Sequence, residues 1–162
     1  MPVPALVPRA ARLGLTLAAA LAFLAPLLTR LVMGQAFFLT GRGKLESFAN
    51  TVSFFTELGI PFPELNAAFV SRLEYWGGIA LVLGLLTRLV AAGLASTMVV
   101  ALMTADRGAF VGAFQAGSDA GLTDVTPVVY LLFLGWLVLY GPGLVSLDTP
   151  LARWLGISKQ QS

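Results

Sequence analysis

The sequence predicts an all-α fold: a bundle of four transmembrane helices with both termini on the cytoplasmic side. Three observations carry this expectation. Of the 162 residues, 57% are hydrophobic and only 11% are charged, with a mean hydropathy of +0.86. A water-soluble domain carries about 25% charged residues. The apolar residues fall into four stretches bounded by charge, glycine or proline, each near the roughly 20 residues a helix needs to cross a bilayer. Basic residues are spread unevenly over the connections between those stretches, which orients the bundle.

Residues 1–19 form an extension, with Pro2, Pro4, Pro8, Arg9 and Arg12 in a basic tail that leads into apolar sequence. Small residues between Ala18 and Ala25 have the spacing a signal peptidase accepts, so cleavage is one reading of this segment. Against it, Leu31 to Leu39 is too short to cross a bilayer, and the first span must borrow residues upstream of Arg30. That places the span at about residues 20–40, with Pro26 in its first turns, where proline is tolerated or produces a kink. Gly41-Arg-Gly-Lys44 ends it. Residues 45–65 are expected outside, with Gly59-Ile-Pro-Phe-Pro63 as a turn or extended piece. The second span covers about 65–86 and the third 89–105, joined tightly at Thr87-Arg88 as an antiparallel hairpin. Residues 106–124 read as a polar loop, and Val125 to Tyr140 as the fourth span. Gly141-Pro-Gly143 stops that span, and a short amphipathic tail with Arg153, Trp154 and Lys159 follows. The four-helix membrane domain is expected over residues 20–150 and the tail over 151–162.

With the N-terminus inside, the inner side carries Arg9, Arg12, Arg30, Arg88, Arg153 and Lys159 against Asp148 alone. The outer side carries Arg42, Lys44, Arg72 and Arg107 against seven acids: Glu46, Glu57, Glu64, Glu74, Asp106, Asp119 and Asp124. The positive-inside rule favours this orientation, in a cell (inner or plasma) membrane crossed several times.

A carboxylate within lipid-facing sequence is costly unless it is partnered, so Glu74 in the second span is a candidate functional residue. Arg88 lies 14 residues on, about 21 Å along the helix, too far to pair with it. At the depth set by helix rise, Lys44 is the natural partner of Glu74, with Arg72 and Asp106 as neighbours. Arg30 sits about 12 Å from Glu74 in height. Arg30 and Arg88 share Asp148 as their candidate acid, which leaves excess positive charge at the inner side for an anionic headgroup or polar ligand. Structural ion pairing is the alternative reading for all five groups: Arg30, Lys44, Glu74, Arg88 and Asp148. Gly34 and Gly41, like Gly77 and Gly84, are seven apart and so share a helix face, which with Gly78 favours close helix packing. Trp76, Trp136, Tyr130 and Tyr140 are either a wall for a flat ring or interfacial anchors.

The chain has no Cys and no His. That excludes disulfides, thiol redox chemistry, iron–sulfur clusters and histidine-ligated haem or metal; no metal site is expected. Ser71 and Ser146 have no histidine to activate them. Gly41-Arg-Gly-Lys44 lacks the context of a phosphate-binding loop. A net charge of +2 gives no case for nucleic acid. No catalytic residue is identified.

Arg30-x3-Gly34, Gly41-Arg-Gly-Lys44, Leu58-Gly-Ile-Pro61, Glu74-x2-Gly-Gly78, Leu83-Gly-Leu-Leu-Thr-Arg88 and Gly141-Pro-Gly-x2-Ser-Leu-Asp148 occur in the family's order. Together they resemble the DoxX/DoxD family of small membrane proteins over residues 25–150. The resemblance implies four transmembrane helices. It makes Arg30, Gly34, Gly41, Lys44, Glu74, Gly78, Gly84, Thr87, Arg88 and Asp148 signature positions. The family takes its name from the membrane subunits of an archaeal thiosulfate:quinone oxidoreductase, and other members are linked to oxidative-stress complexes with soluble redox enzymes.

Two functions from different classes follow. The first is the membrane subunit of a quinone-linked oxidoreductase, with no covalently bound cofactor, quinone as the diffusible one, and Arg30, Arg88 and Glu74 around one polar site. The second is a membrane scaffold that recruits a soluble enzyme through its acidic outer face at Asp119 and Asp124. A solute transporter ranks third, since four spans without an inverted repeat would need a homo-oligomer. The expected partners are the lipid bilayer and a redox enzyme subunit or further copies of the chain.

Overall fold

A computed structural model describes residues 6–115 and 121–154; Asp119 and Lys159 lie outside them, as do the side chains of Arg9, Arg12 and Arg153. The described residues form helices joined by turns, without a strand. In chain order the helices are α1 (Leu6–Leu21), α2 (Leu24–Glu46), α3 (Phe48–Glu57), α4 (Pro63–Leu83), α5 (Thr87–Met103), α6 (Arg107–Gly112), α7 (Thr126–Tyr140) and α8 (Asp148–Trp154), with a 3₁₀ turn at Leu122–Asp124 before α7.

Local chemistry sets several of these limits. α4 starts at Pro63, whose missing N–H costs nothing in a first turn, with Glu64 beside it at the positive end of the helix dipole. It stops at Gly84, which has φ +68°. There the Leu85 N–H donates to the Ala80 carbonyl (2.9 Å) and the Gly84 N–H to that of Leu81 (3.0 Å), the paired bonds of a left-handed C-cap. α5 begins after Leu86, also left-handed at φ +48°, so Thr87-Arg88 is the first turn of α5 rather than the connection.

Three boundaries differ from expectation. Gly41-Arg-Gly-Lys44 does not end α2, which runs on to Glu46. Glycine costs a helix interior only about 1 kcal/mol relative to alanine, and here close packing against α4 offsets it. Residues 45–65 are not merely a connection, since α3 folds back on α4 with Thr51 and Phe55 buried. The expected loop after α5 contains α6.

α2 packs on α4 along most of its length, α5 packs on α7, and α4 and α5 form the antiparallel hairpin that joins the two pairs. Gly34, Gly41 and Gly78 lie in the α2–α4 seam. A Cβ on Gly41 would overlap the backbone nitrogen of Tyr75, and one on Gly78 that of Phe38. Gly77 faces α5 instead, against Val90 and Leu94 at 3.3 Å. The core is Met33 and Phe37 of α2, Leu81 of α4, Ala91 and Leu94 of α5, and Leu134 and Leu137 of α7.

Two charged side chains are buried while large apolar ones are exposed. Arg30 and Glu74 are each 1% exposed, whereas Leu89, Leu132 and Leu139 are 71%, 68% and 81% exposed. By length and composition, one stretch of the described helix is able to cross a membrane: Gly14–Glu46, interrupted by the turn at Ala22 and Phe23. α5 and α7 are apolar but shorter, at 17 and 15 residues.

Candidate functional site

The charged residues expected to shape one site separate into two centres at opposite ends of the bundle. Arg30 and Lys44 are 14 residues apart on α2, and Glu74 and Arg88 are 14 apart on the α4–α5 hairpin. The first interval corresponds to about 21 Å of helix rise; the second takes Glu74 about 14 Å to the end of α4 and then crosses the turn into α5. The apolar core lies between the centres.

At the first centre, the Lys44 ammonium of α2 donates to both carboxylate oxygens of Glu74 on α4, at 2.6 Å each. The two meet because Gly41 removes the side chain that would hold the helices apart one turn earlier. Glu74 is buried, while the Lys44 side chain retains 31% exposure. Such a pair is shielded on the carboxylate side and open on the ammonium side. Thr51 of α3 donates to the Lys44 carbonyl (3.2 Å) and so ties the end of α2 to the cover provided by α3. Neither other group placed near Glu74 by depth joins it. Arg72 is exposed and donates to the Ala68 carbonyl one turn back in its own helix (3.0 Å). Asp106 caps the start of α6, where its own carbonyl accepts from the Phe110 N–H.

The ion pair borders a cavity of about 210 Å³ between α3, α4 and α5. Phe54, Phe55 and Phe69 supply its aromatic wall, and Asn66, Thr97 and Thr104 add polar groups beside Lys44 and Glu74. Phe54 and Phe69 also reach the outer surface, so the mouth is apolar. The three phenylalanines, Asn66 and the two threonines do not stand out in the sequence. Only the i, i+7 spacing of Thr97 and Thr104 on one face of an otherwise apolar helix hinted at them. The aromatic residues singled out in the sequence gather elsewhere. Trp136 stacks on Tyr140 (4.7 Å between centroids), Tyr130 meets Phe37 edge-on, and Trp76 is 64% exposed.

At the second centre, Asp148 does not pair with either arginine. Among the described residues the ion pairs are Lys44–Glu74 and the surface pair Arg42–Glu46. Asp148 instead accepts the backbone N–H groups of Leu86 (2.6 Å) and Thr87 (2.9 Å), capping α5 from 61 and 62 residues away. Its negative charge also meets the positive end of that helix. Its own N–H donates to the Gly84 carbonyl (2.9 Å), so the segment after α7 straps the α4–α5 turn. Arg30 is buried and donates to the Val145 carbonyl of that strap, while its Nε and Nη1 have no partner among the described residues. Arg88 reaches the Leu139 and Tyr140 carbonyls at 3.4 Å, the open end of α7. Gly84 leaves the room that Arg30 occupies, because a Cβ there would overlap its Nη1. This centre is built from main-chain contacts, with both arginines directed at carbonyls rather than at a shared acid.

Comparison with known proteins gives one curated relative, the protein named "Putative oxidoreductase CatD" of Bacillus subtilis (strain 168). It is 33% identical over 78 residues, which cover 48% of this chain and 57% of that protein. The chain therefore spans little more than half the length of the relative it matches. No solved structure matches. The DoxX family matches residues 25–107, a range that contains α2 from its second residue, α3 to α5, the Lys44–Glu74 pair, Arg30 and Arg88 but stops short of Asp148. With the matched half of the chain holding the whole α2–α4 seam and the ion pair at its end, the chain belongs to the membrane-associated DoxX family.

Proposed function

We propose that the chain is a multi-pass subunit of the cell membrane that binds a quinone for a redox enzyme partner. The observation that carries the reading is the Lys44–Glu74 pair set in the wall of an aromatic-lined cavity with an apolar mouth. Ligand pockets pair an apolar lining with a few convergent polar groups, and this cavity has that composition. At about 210 Å³ it is below the roughly 300–1,000 Å³ of pockets for drug-sized ligands. It suits one ring, with a hydrocarbon tail left in the mouth. A quinone would supply the two-electron, two-proton chemistry that a chain without Cys or His lacks. Lys44 has a third N–H, beyond the two given to Glu74, to donate to a ring carbonyl. Glu74 provides a place for a proton at Oε1 or Oε2, and the phenylalanines exclude water from it. The relative named as an oxidoreductase favours the same class.

Four spans, α2, α4, α5 and α7, are part of this reading, with both termini in the cytoplasm. The exposed leucines on α5 and α7 support it, as does the charge asymmetry. At about 26 and 22 Å, α5 and α7 fall short of a hydrocarbon core of about 30 Å. Local thinning of the bilayer accommodates such mismatch at fractions of a kcal/mol per Å.

The test is to purify the tagged full-length chain in mild detergent, extract it with organic solvent and quantify quinone against protein. The wild type should hold close to one quinone per chain. Ala101→Trp, which would fill the cavity, should hold little. A quinone-free wild type that brings down a stoichiometric soluble enzyme would sink this reading and leave the scaffold in its place.

A further inference from the structure

The polar groups around the cavity are unbalanced: acceptors outnumber available donors. Thr97 and Thr104 each donate their single hydroxyl proton to their own helix, to the Leu94 carbonyl at 2.8 Å and the Val100 carbonyl at 2.7 Å. Ser96, also on the cavity lining, does the same to Gly93 at 2.6 Å. A hydroxyl has one proton and two lone pairs, so a hydroxyl that has given its proton to the backbone remains only an acceptor. Asn66 has committed one amide proton to the Pro61 carbonyl (2.6 Å), which leaves its Oδ1 and one N–H. The Glu74 carboxylate takes two bonds from Lys44 and has further lone pairs in reserve. Against these acceptors stand two donors, the remaining N–H of Lys44 and that of Asn66.

A quinone ring presents carbonyl oxygens, which only accept. Its reduced form presents two hydroxyls, which donate. We infer that the cavity selects the reduced, hydroxyl-bearing form: the site binds a quinol more tightly than the corresponding quinone. This rests on the quinone reading above and refines it to one redox state. The ring O–H groups donate to lone pairs that no protein donor occupies, chiefly those left on Glu74 beside its Lys44 bonds and those of the Thr97 hydroxyl. Both are among the most buried groups of the lining, where a hydrogen bond competes least with water. A quinone in the same place can use the two donors but leaves those acceptors facing its own carbonyl oxygens.

The experiment is equilibrium binding of decyl-ubiquinol and decyl-ubiquinone to the purified full-length chain under argon, with protein-free micelles as the blank. The quinol is expected to bind about tenfold more tightly, the size of one to two added hydrogen bonds of ordinary net strength. Thr97→Val, which keeps the shape and removes the acceptor, should lower the ratio of quinol to quinone affinity severalfold. Thr104→Val provides the same comparison if the first variant folds poorly. Equal affinities, or a tighter quinone, would overturn the preference while leaving the quinone site in place. Binding of neither form would overturn the site itself.

Discussion

Glu74 is the residue on which the first centre depends, because a carboxylate 1% exposed has no water to fall back on. Removing one member of a buried ion pair leaves the other charge uncompensated, which costs about 3–5 kcal/mol. Lys44 keeps 31% side-chain exposure, so the lower end applies. Lys44→Met is therefore expected to destabilise the detergent-solubilised protein by about 3 kcal/mol. Glu74→Gln, which stays polar and neutral, should cost less. Replacing both together, Lys44→Met with Glu74→Leu, should recover most of the loss, since apolar isosteres of a buried pair are often neutral or better. Thermal scans of the three variants test this, and a double variant as unstable as Lys44→Met would contradict it. The double variant also separates structure from function: it should be stable yet retain no quinone. The Lys44–Glu74 pairing was legible in the sequence, because both residues sit at countable distances from helix ends and helix rise is constant. The role of Asp148 was not. A cap supplied from 61 and 62 residues away looks, in sequence, the same as a counter-ion for the nearest arginine.

Among the elements, the α2–α4 seam does the most to position the site. Its glycines are not equivalent, and the seven-residue spacing could not show which of them touch. Gly41 meets the backbone of Glu74 and Tyr75, whereas Gly43, two residues on, faces open space. Gly43→Ala should be neutral or stabilise α2 by up to about 1 kcal/mol, the helix-propensity difference. Gly41→Ala should cost at least the 1–3 kcal/mol of an overpacked core, since backbone and not a flexible side chain stands in the way. It should also separate Lys44 from Glu74. The paired melting temperatures check this, with Gly43→Ala as the control for propensity. Similar destabilisation by both would mean that the seam is looser than the glycines imply. α3 shows the limit of periodicity: ten residues between a glycine pair and a proline turn read as a connection. Only tertiary burial of Thr51 and Phe55 makes them a helix. The cavity was hidden for the same reason, because its walls come from three helices whose contributions are far apart in sequence.

For the whole molecule, the all-helical fold and the order of its long helices were legible because hydropathy survives without knowledge of contacts. Helix rise alone set Lys44 with Glu74 apart from Arg30 and Arg88; the apolar core between the two centres and the main-chain contacts of the second required the folded chain. That placement makes the topology testable. α3 and α6 follow the ends of α2 and α5 nearest Lys44 and Glu74, and α8 begins at Asp148, beside the opposite turn. If the core between the two centres lies in the bilayer, residues at the first centre and those near α8 face opposite compartments. The chain has no native cysteine, so single cysteines can be introduced without a background. Asn50→Cys, Gly108→Cys and Pro150→Cys all fall at exposed positions, one on each of α3, α6 and α8. A membrane-impermeant maleimide added to intact cells should label the first two and reach Pro150→Cys only after permeabilisation. Labelling of all three from outside would place both centres on one side and remove the bundle from the membrane. Labelling of Pro150→Cys alone would keep the spans but invert them, moving the acidic face and the mouth of the cavity to the cytoplasm. A redox partner would then have to be sought on that side.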